Sequence, residues 1–237
     1  QLRPWFRQGT HALALLTLMV LVGVSGGIPE VRARSAPVVS GAPGFGPWSA
    51  LWTSIAIAVI HQLWVTVWWR MQIARAPWDA NTGRVRVVPP RAALFRVYGG
   101  VFFLLFAARM ASVVAIAAVN REQISISWSV RGMVTIGLAL PAVWLFYSVV
   151  RYFGMVRASG ADHFDPAAPD WPMEHRGVFR YTRNGMYTLG LLVLWIPGVL
   201  AASPAALISA AFQHAYIWVH YWCTELPDMR AIYGSHE

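Results

Sequence analysis

The chain has 237 residues, 57% hydrophobic and 12% charged. A soluble domain carries about 25% charged residues, so an ordinary soluble enzyme is excluded. The net charge of +9 comes from arginine alone, since there is no lysine. The arginines sit beside apolar runs rather than on one soluble face. That pattern argues against nucleic acid and for anionic headgroups, which attract such loops by about 1 kcal/mol per basic residue. Cys223 is the lone cysteine, so there is no intrachain disulfide and no cysteine metal cluster.

Six apolar runs follow in order, roughly 11–28, 48–69, 98–119, 128–150, 186–202 and 204–224. Most approach the ~20 residues a helix needs to cross the hydrocarbon core, and the alternation of a barrel strand is absent. The fold class expected is therefore all-α: a polytopic membrane helix bundle of about six transmembrane helices. The first run follows Arg3 and Arg7 and also fits a signal peptide, but its presence in the chain favours a retained helix. The stretch 29–47 is rich in Gly, Pro, Ser and Ala and reads as a mobile external connection. Within it, Gly44-Phe45-Gly46 lacks the third glycine and the strand–helix setting of a nucleotide loop. The fifth run is short and contains Pro197, which tilts or kinks a helix.

Fourteen arginines fall on one side of a six-span arrangement, and Arg32, Arg34 and Arg121 on the other. The positive-inside rule puts both termini and the connections 70–96 and 151–185 in the cytoplasm. The second of these is too small for a core of its own. His163, Asp165, Asp170, Glu174 and His175 cluster there, with a spacing that suits a solvated loop better than a metal site. A secondary reading makes this loop a cover over a cofactor pocket, with Trp171 as its apolar contact. Two spans carry polar residues near their middles. His61, beside Gln62, reads as a satisfied interhelical hydrogen bond. Arg109 is expected either to hold a lipid phosphate or to pair inside the bundle. If Arg109 faces outward, Arg151 or Arg157 takes the phosphate role.

Two stretches bracket the last apolar hairpin. Residues 177–187 read Gly-Val-Phe-Arg-Tyr-Thr-Arg-Asn-Gly-Met-Tyr, and 225–234 read Glu-Leu-Pro-Asp-Met-Arg-Ala-Ile-Tyr-Gly. Arg180 and Arg183 stand before the fifth helix, where helix N-terminus and guanidinium both favour anions. One arginine there is ordinary anchoring. Two of them framed by Phe179, Tyr181 and Tyr187 make a better pocket than anchoring requires. Asn184-Gly185 is a turn signal that starts a helix at Met186. On the sixth helix, His214, Trp218, Tyr221 and Glu225 share a face. Trp218 and Tyr221 alone would suit an interface belt. Glu225 at a helix C-terminus is mildly disfavoured by the macrodipole, and that points to function.

The stretch 177–187 resembles the Gly-Pro-Tyr/Phe-Arg-Tyr-x-Arg-His/Asn-Pro-x-Tyr signature of integral-membrane methyltransferases that use S-adenosylmethionine. Among these are the phosphatidylethanolamine N-methyltransferases and the isoprenylcysteine carboxyl methyltransferases. The stretch 225–234 is similar to their Glu-Glu-x-x-x-x-x-x-Tyr/Phe-Gly ending, and Asn184 and Met186 resemble the phospholipid branch. Val178 and Gly185 replace two family prolines, and Leu226 replaces the second acidic residue.

The resemblance implies S-adenosylmethionine as cofactor and covers about residues 150–235. It carries Arg180, Tyr181, Arg183, Asn184, Gly185, Tyr187 and Glu225 over as cofactor contacts. Glu225 or His214 would take the acceptor's proton, and Arg109, Trp218 and Tyr221 would meet the acceptor. Residues 1–150 are expected to form the acceptor side and 151–237 the cofactor side. The acceptor expected is a lipid amine, phosphatidylethanolamine or a partly methylated form. Alternatives are a prenylcysteine carboxylate or small thiol, a membrane reductase using NADPH, and a non-catalytic lipid-binding protein. Nothing in the sequence fixes the oligomeric state.

Overall fold

The computed structural model describes residues 7–33 and 46–234. Arg3, Arg34 and the Gly44-Phe45 pair lie outside the described residues. Among those described, four helices are long and apolar enough to cross a membrane. The first is α1 (Gln8–Ser25), followed by the one-turn helix α2 (Pro29–Arg32) inside the stretch expected to be irregular. Then come α3 (Pro47–Arg75), α4 (Ala92–Val119) and α5 (Trp128–Ser148), the last continued by a π turn over Val149–Phe153. A two-residue hairpin, β1 (Trp78–Asp79) and β2 (Arg84–Val85), links α3 to α4.

The bundle is the polytopic helical one expected, but its last two runs are not regular helices. The fifth consists of a helical turn at Gly185–Thr188, a 3-10 stretch Gly190–Leu194 and then α6 (Trp195–Leu200). Pro197 is the third residue of α6, where its missing N–H would have no intrahelical partner anyway. Close packing explains the two small residues of this run. A Cβ on Gly190 would lie 2.7 Å from Leu145 Cδ2, and one on Gly198 2.9 Å from Leu207 Cδ2. Small residues let membrane helices approach in this way.

The sixth run is α7 (Pro204–His220), a π turn over Tyr221–Glu225, and α8 (Leu226–Tyr233). Pro227 accounts for the break, because it has no N–H to give the Cys223 carbonyl four residues back. Side chains satisfy that carbonyl instead: Arg70 Nη2 donates to it at 2.7 Å and Gln8 Nε2 at 3.2 Å.

The central helix is α3, packed against α4 on one side and α7 on the other. The core they share includes Leu51 and Ile55 of α3, Val113 and Ile116 of α4, and Ala206 and Tyr216 of α7. At the end remote from both motifs, polar groups close the bundle. Asn120 Oδ1 accepts from Ser203 Oγ and from the Ala205 N–H. Its Nδ2 donates to the Glu30 and Ala33 carbonyls. Arg131 forms a two-pronged bond to Glu122, both contacts at 2.6 Å.

Candidate functional site

The motif end is assembled from three stretches that meet around α8. Gly177 opens the first motif at φ +60°, and a Cβ there would come within 2.5 Å of Ser148 Oγ. Only glycine fits both the backbone and the space. The next residue, Val178, donates its N–H to Ser148 Oγ at 3.1 Å. Proline could not make that bond. Gly185 is buried, and an added Cβ would meet Leu145 Cδ1 at 3.3 Å and Val178 Cγ1 at 3.5 Å. The two departures from the family prolines are therefore neighbours, and each accommodates the other. Asn184 precedes the turn and its carbonyl accepts from the Tyr187 and Thr188 N–H groups, so the helix starts one residue before Met186.

Tyr187 is the residue that joins the two motifs. Its hydroxyl donates to Glu225 Oε2. Its ring lies 6.0 Å from Trp218 and 5.6 Å from Tyr221, centroid to centroid. Tyr187, Trp218, Tyr221 and Glu225 thus gather as the sequence suggested. Arg180, Tyr181 and Arg183 are exposed, and the Tyr181 ring lies 5.6 Å from that of Trp144 on α5. Among the described residues neither arginine has a hydrogen-bond or ion-pair partner, which leaves both guanidinium groups available to an anion.

His214 is placed differently. Its Nδ1 accepts from Trp195 Nε1 at 3.1 Å. An indole nitrogen only donates, so a neutral His214 carries its proton on Nε2 and its one lone pair is engaged. It also stands eleven residues from Glu225, roughly 16 Å along the helix.

Asp228 takes a structural role. It is fully buried, 2.9 Å from Arg70 Nη1 and 3.3 Å from His163 Nε2. His163 also stacks on Trp69 at 3.9 Å between centroids. This corrects the solvated-loop expectation for His163, which is fully buried. The loop instead packs against α8. Trp171 packs with Ala231 and Ile232 of α8, and Tyr233 donates to Asp162 Oδ2 at 2.5 Å. Burial and the Asp162 carboxylate both raise the Tyr233 phenol above its ordinary pKa. Arg157 is held in the same loop, donating to the Pro172 carbonyl at 3.0 Å with Asp162 Oδ1 at 3.7 Å. Arg151 lies over Tyr152, 5.6 Å from the ring centre.

Beside Tyr187 a cavity of about 160 Å³ runs into the bundle between α3, α4 and α5. Phe102, Phe106, Phe146 and Val149 make its walls, and Tyr187, His220, His61 and Arg109 give it polar points. Arg109 Nε donates to Gln213 Oε1 at 2.8 Å, so Arg109 pairs inside the bundle and faces the cavity at once. The expectation for His61 is corrected. Its ring meets Phe102 edge-on at 4.8 Å, and neither ring nitrogen has a partner among the described residues.

Sequence reasoning missed His220 and the cavity walls. His220 lies in the same helix as Trp218 but one step off the face chosen, and the phenylalanines of α4 look like any lipid-facing run. Residues 130–236 match the family model described as phospholipid methyltransferase. No curated protein and no solved structure matches the chain. Over that span the chain is similar to that family, which supports a membrane methyltransferase acting on lipid. Members of the family generally use S-adenosylmethionine.

Proposed function

We propose that this membrane methyltransferase moves a methyl group from S-adenosylmethionine to the amine of phosphatidylethanolamine or a partly methylated form. The reading rests on one observation: Tyr187, which lines a cavity formed largely by α3, α4 and α5, is also the residue around which Trp218, Tyr221 and Glu225 gather. It places the site at the cytoplasmic end, on the arginine count, and divides the chain into an acceptor side over 1–150 and a cofactor side over 151–237.

The residues suit the cofactor's groups. Its carboxylate is matched by the unpartnered Arg180 and Arg183, with Tyr181, Asn184 and Gly185 shaping the turn between the arginines and Tyr187. A sulfonium is stabilised by aromatic faces such as those of Tyr187, Trp218 and Tyr221, and a carboxylate such as Glu225 holds an ammonium. When bound, the cofactor supplies an electrophilic methyl group for in-line displacement. The protein's part is to hold the amine in line with that methyl group and to keep water out, and positioning of this kind supplies much of the rate. An ammonium has no lone pair, so a proton must leave first. Glu225 is the better acceptor for it, directly or through the Tyr187 hydroxyl, because His214 has its lone pair engaged by Trp195. Arg109, Trp218 and Tyr221 are the positions we assign to the acceptor.

The test is thermal stability of the detergent-purified protein with candidate cofactors. S-adenosylmethionine and S-adenosylhomocysteine should each raise the melting temperature, by the equivalent of about 2.7 kcal/mol at 100 times the dissociation constant. Stabilisation by NADPH and by neither adenosyl compound would overturn the assignment in favour of a reductase.

A further inference from the structure

Three arginines are buried among the described residues: Arg70, Arg109 and Arg131, with 1%, 4% and 3% of their surface exposed. Two have carboxylate partners. Arg70 lies 2.9 Å from Asp228, and Arg131 lies 2.6 Å from Glu122. Arg109 has none among the described residues. Its Nε is used by the neutral Gln213, and its Nη2 has no partner. A charge inside a membrane bundle is costly unless it pairs with another charge, a carbonyl or water. Buried polar groups in native proteins are almost always bonded, so an orphan calls for an explanation.

A second orphan lies in the same cavity. His61 is 3% exposed and both its ring nitrogens are unpartnered. Two side chains with unmet donors thus line one apolar cavity. Their complement is a ligand that brings oxygen acceptors on an aliphatic body.

We propose that Arg109 and His61 hold the glycerol ester carbonyls of the acceptor lipid, and so read its backbone linkage rather than its headgroup. This rests on the amine reacting beside Glu225. Arg109 bonds Gln213, and residues 213 to 225 span roughly 18 Å of helix rise. Only an oxygen and two carbons separate a headgroup phosphorus from its nitrogen. An amine at Glu225 therefore leaves the phosphate well short of Arg109. The ester carbonyls lie beyond the phosphate, past the glycerol carbons, and reach the depth at which Arg109 and His61 wait. The lipid tails then leave past the phenylalanine walls of α4 and α5.

The test compares diester phosphatidylethanolamine with its dialkyl ether analogue of equal chain length, which keeps headgroup and tails but has no carbonyls. Binding is read as thermal stabilisation of the full chain without cofactor, and KM is read separately from kcat where turnover is present. The diester should bind about tenfold more tightly, the size of one charge-assisted hydrogen bond. Arg109→Met and His61→Phe should each reduce that preference, while Arg96→Gln, at an exposed position, should leave it intact. Arg109→Met without lipid should be at least as stable as the parent, because it removes a buried charge that lacks a counter-charge.

Equal binding of the two lipids by the parent protein would overturn the proposal. So would a diester preference that survives Arg109→Met. Diester preference without methyl transfer would leave the carbonyl site standing and refute the methyl-transfer reading. Methyl transfer with no linkage preference would do the reverse.

Discussion

The two ends of this bundle treat buried polar groups in opposite ways. At the closed end, Asn120 satisfies four partners from two other segments, and Arg131 is matched by a two-pronged carboxylate. At the motif end, a cavity enters the bundle and leaves His61 and Arg109 Nη2 with donors to spare. The difference separates groups whose partners lie within the fold from groups left with donors to spare. Within the motif end itself, Asp228 belongs with the first kind, and the proposed function gives Glu225 to a ligand.

The largest effect expected is on that division. Asp228→Asn leaves Arg70 and His163 buried without their counter-charge, and should destabilise the protein by about 3–5 kcal/mol. Denaturant melts in detergent would measure it. A loss of turnover with unchanged stability would instead move Asp228 into the site.

Next is Arg183→Ala, which should weaken S-adenosylmethionine binding by about 1.5–3 kcal/mol, as loss of a charged hydrogen bond does, with little change in melting temperature. Calorimetric titration reads the first and a thermal scan the second. At the closed end the pattern should invert. Asn120→Ala should cost about 1–3 kcal/mol of stability by stranding the Ser203 and Ala205 donors, yet leave cofactor affinity unchanged.

The smallest effect concerns the closing contact of α8. Tyr233→Phe should lower stability by about 1 kcal/mol through loss of the bond to Asp162. The phenol's pKa is raised in the folded state, so the neutral form is the one that folding favours. Its contribution is therefore complete below the unfolded value near 10 and is lost as pH rises beyond that. Tyr233→Phe should accordingly flatten the fall in stability above about pH 10.

What the sequence revealed follows from which forces are local. The helical bundle was legible because apolar length alone dictates a membrane helix, but α3 runs six residues past the expected end and α4 starts six before the expected start. The meeting of Tyr187 and Glu225 was legible because their motifs bracket one hairpin, whereas helical periodicity also put His214 on that face, and it bonds Trp195 instead. The break in the fifth run was only half visible. Pro197 signalled it, but the close approach of Gly190 to Leu145 depends on a distant helix. The burial of His163 was illegible, because its partners Trp69 and Asp228 come from far along the chain. Val178 and Gly185 looked like two independent losses of proline. Their compensation appears only once they touch Leu145, Ser148 and each other.

The central claim is methyl transfer to a lipid amine, and its most direct test is incubation of the purified protein with methyl-labelled S-adenosylmethionine and total membrane lipid. Label should appear in the mono-, di- or trimethylated forms of phosphatidylethanolamine, at a rate that rises with pH as the bound ammonium loses its proton and then levels off. Glu225→Gln should abolish it. Label confined to a prenylated cysteine peptide or a small thiol, with none in the ethanolamine lipids, would contradict the claim.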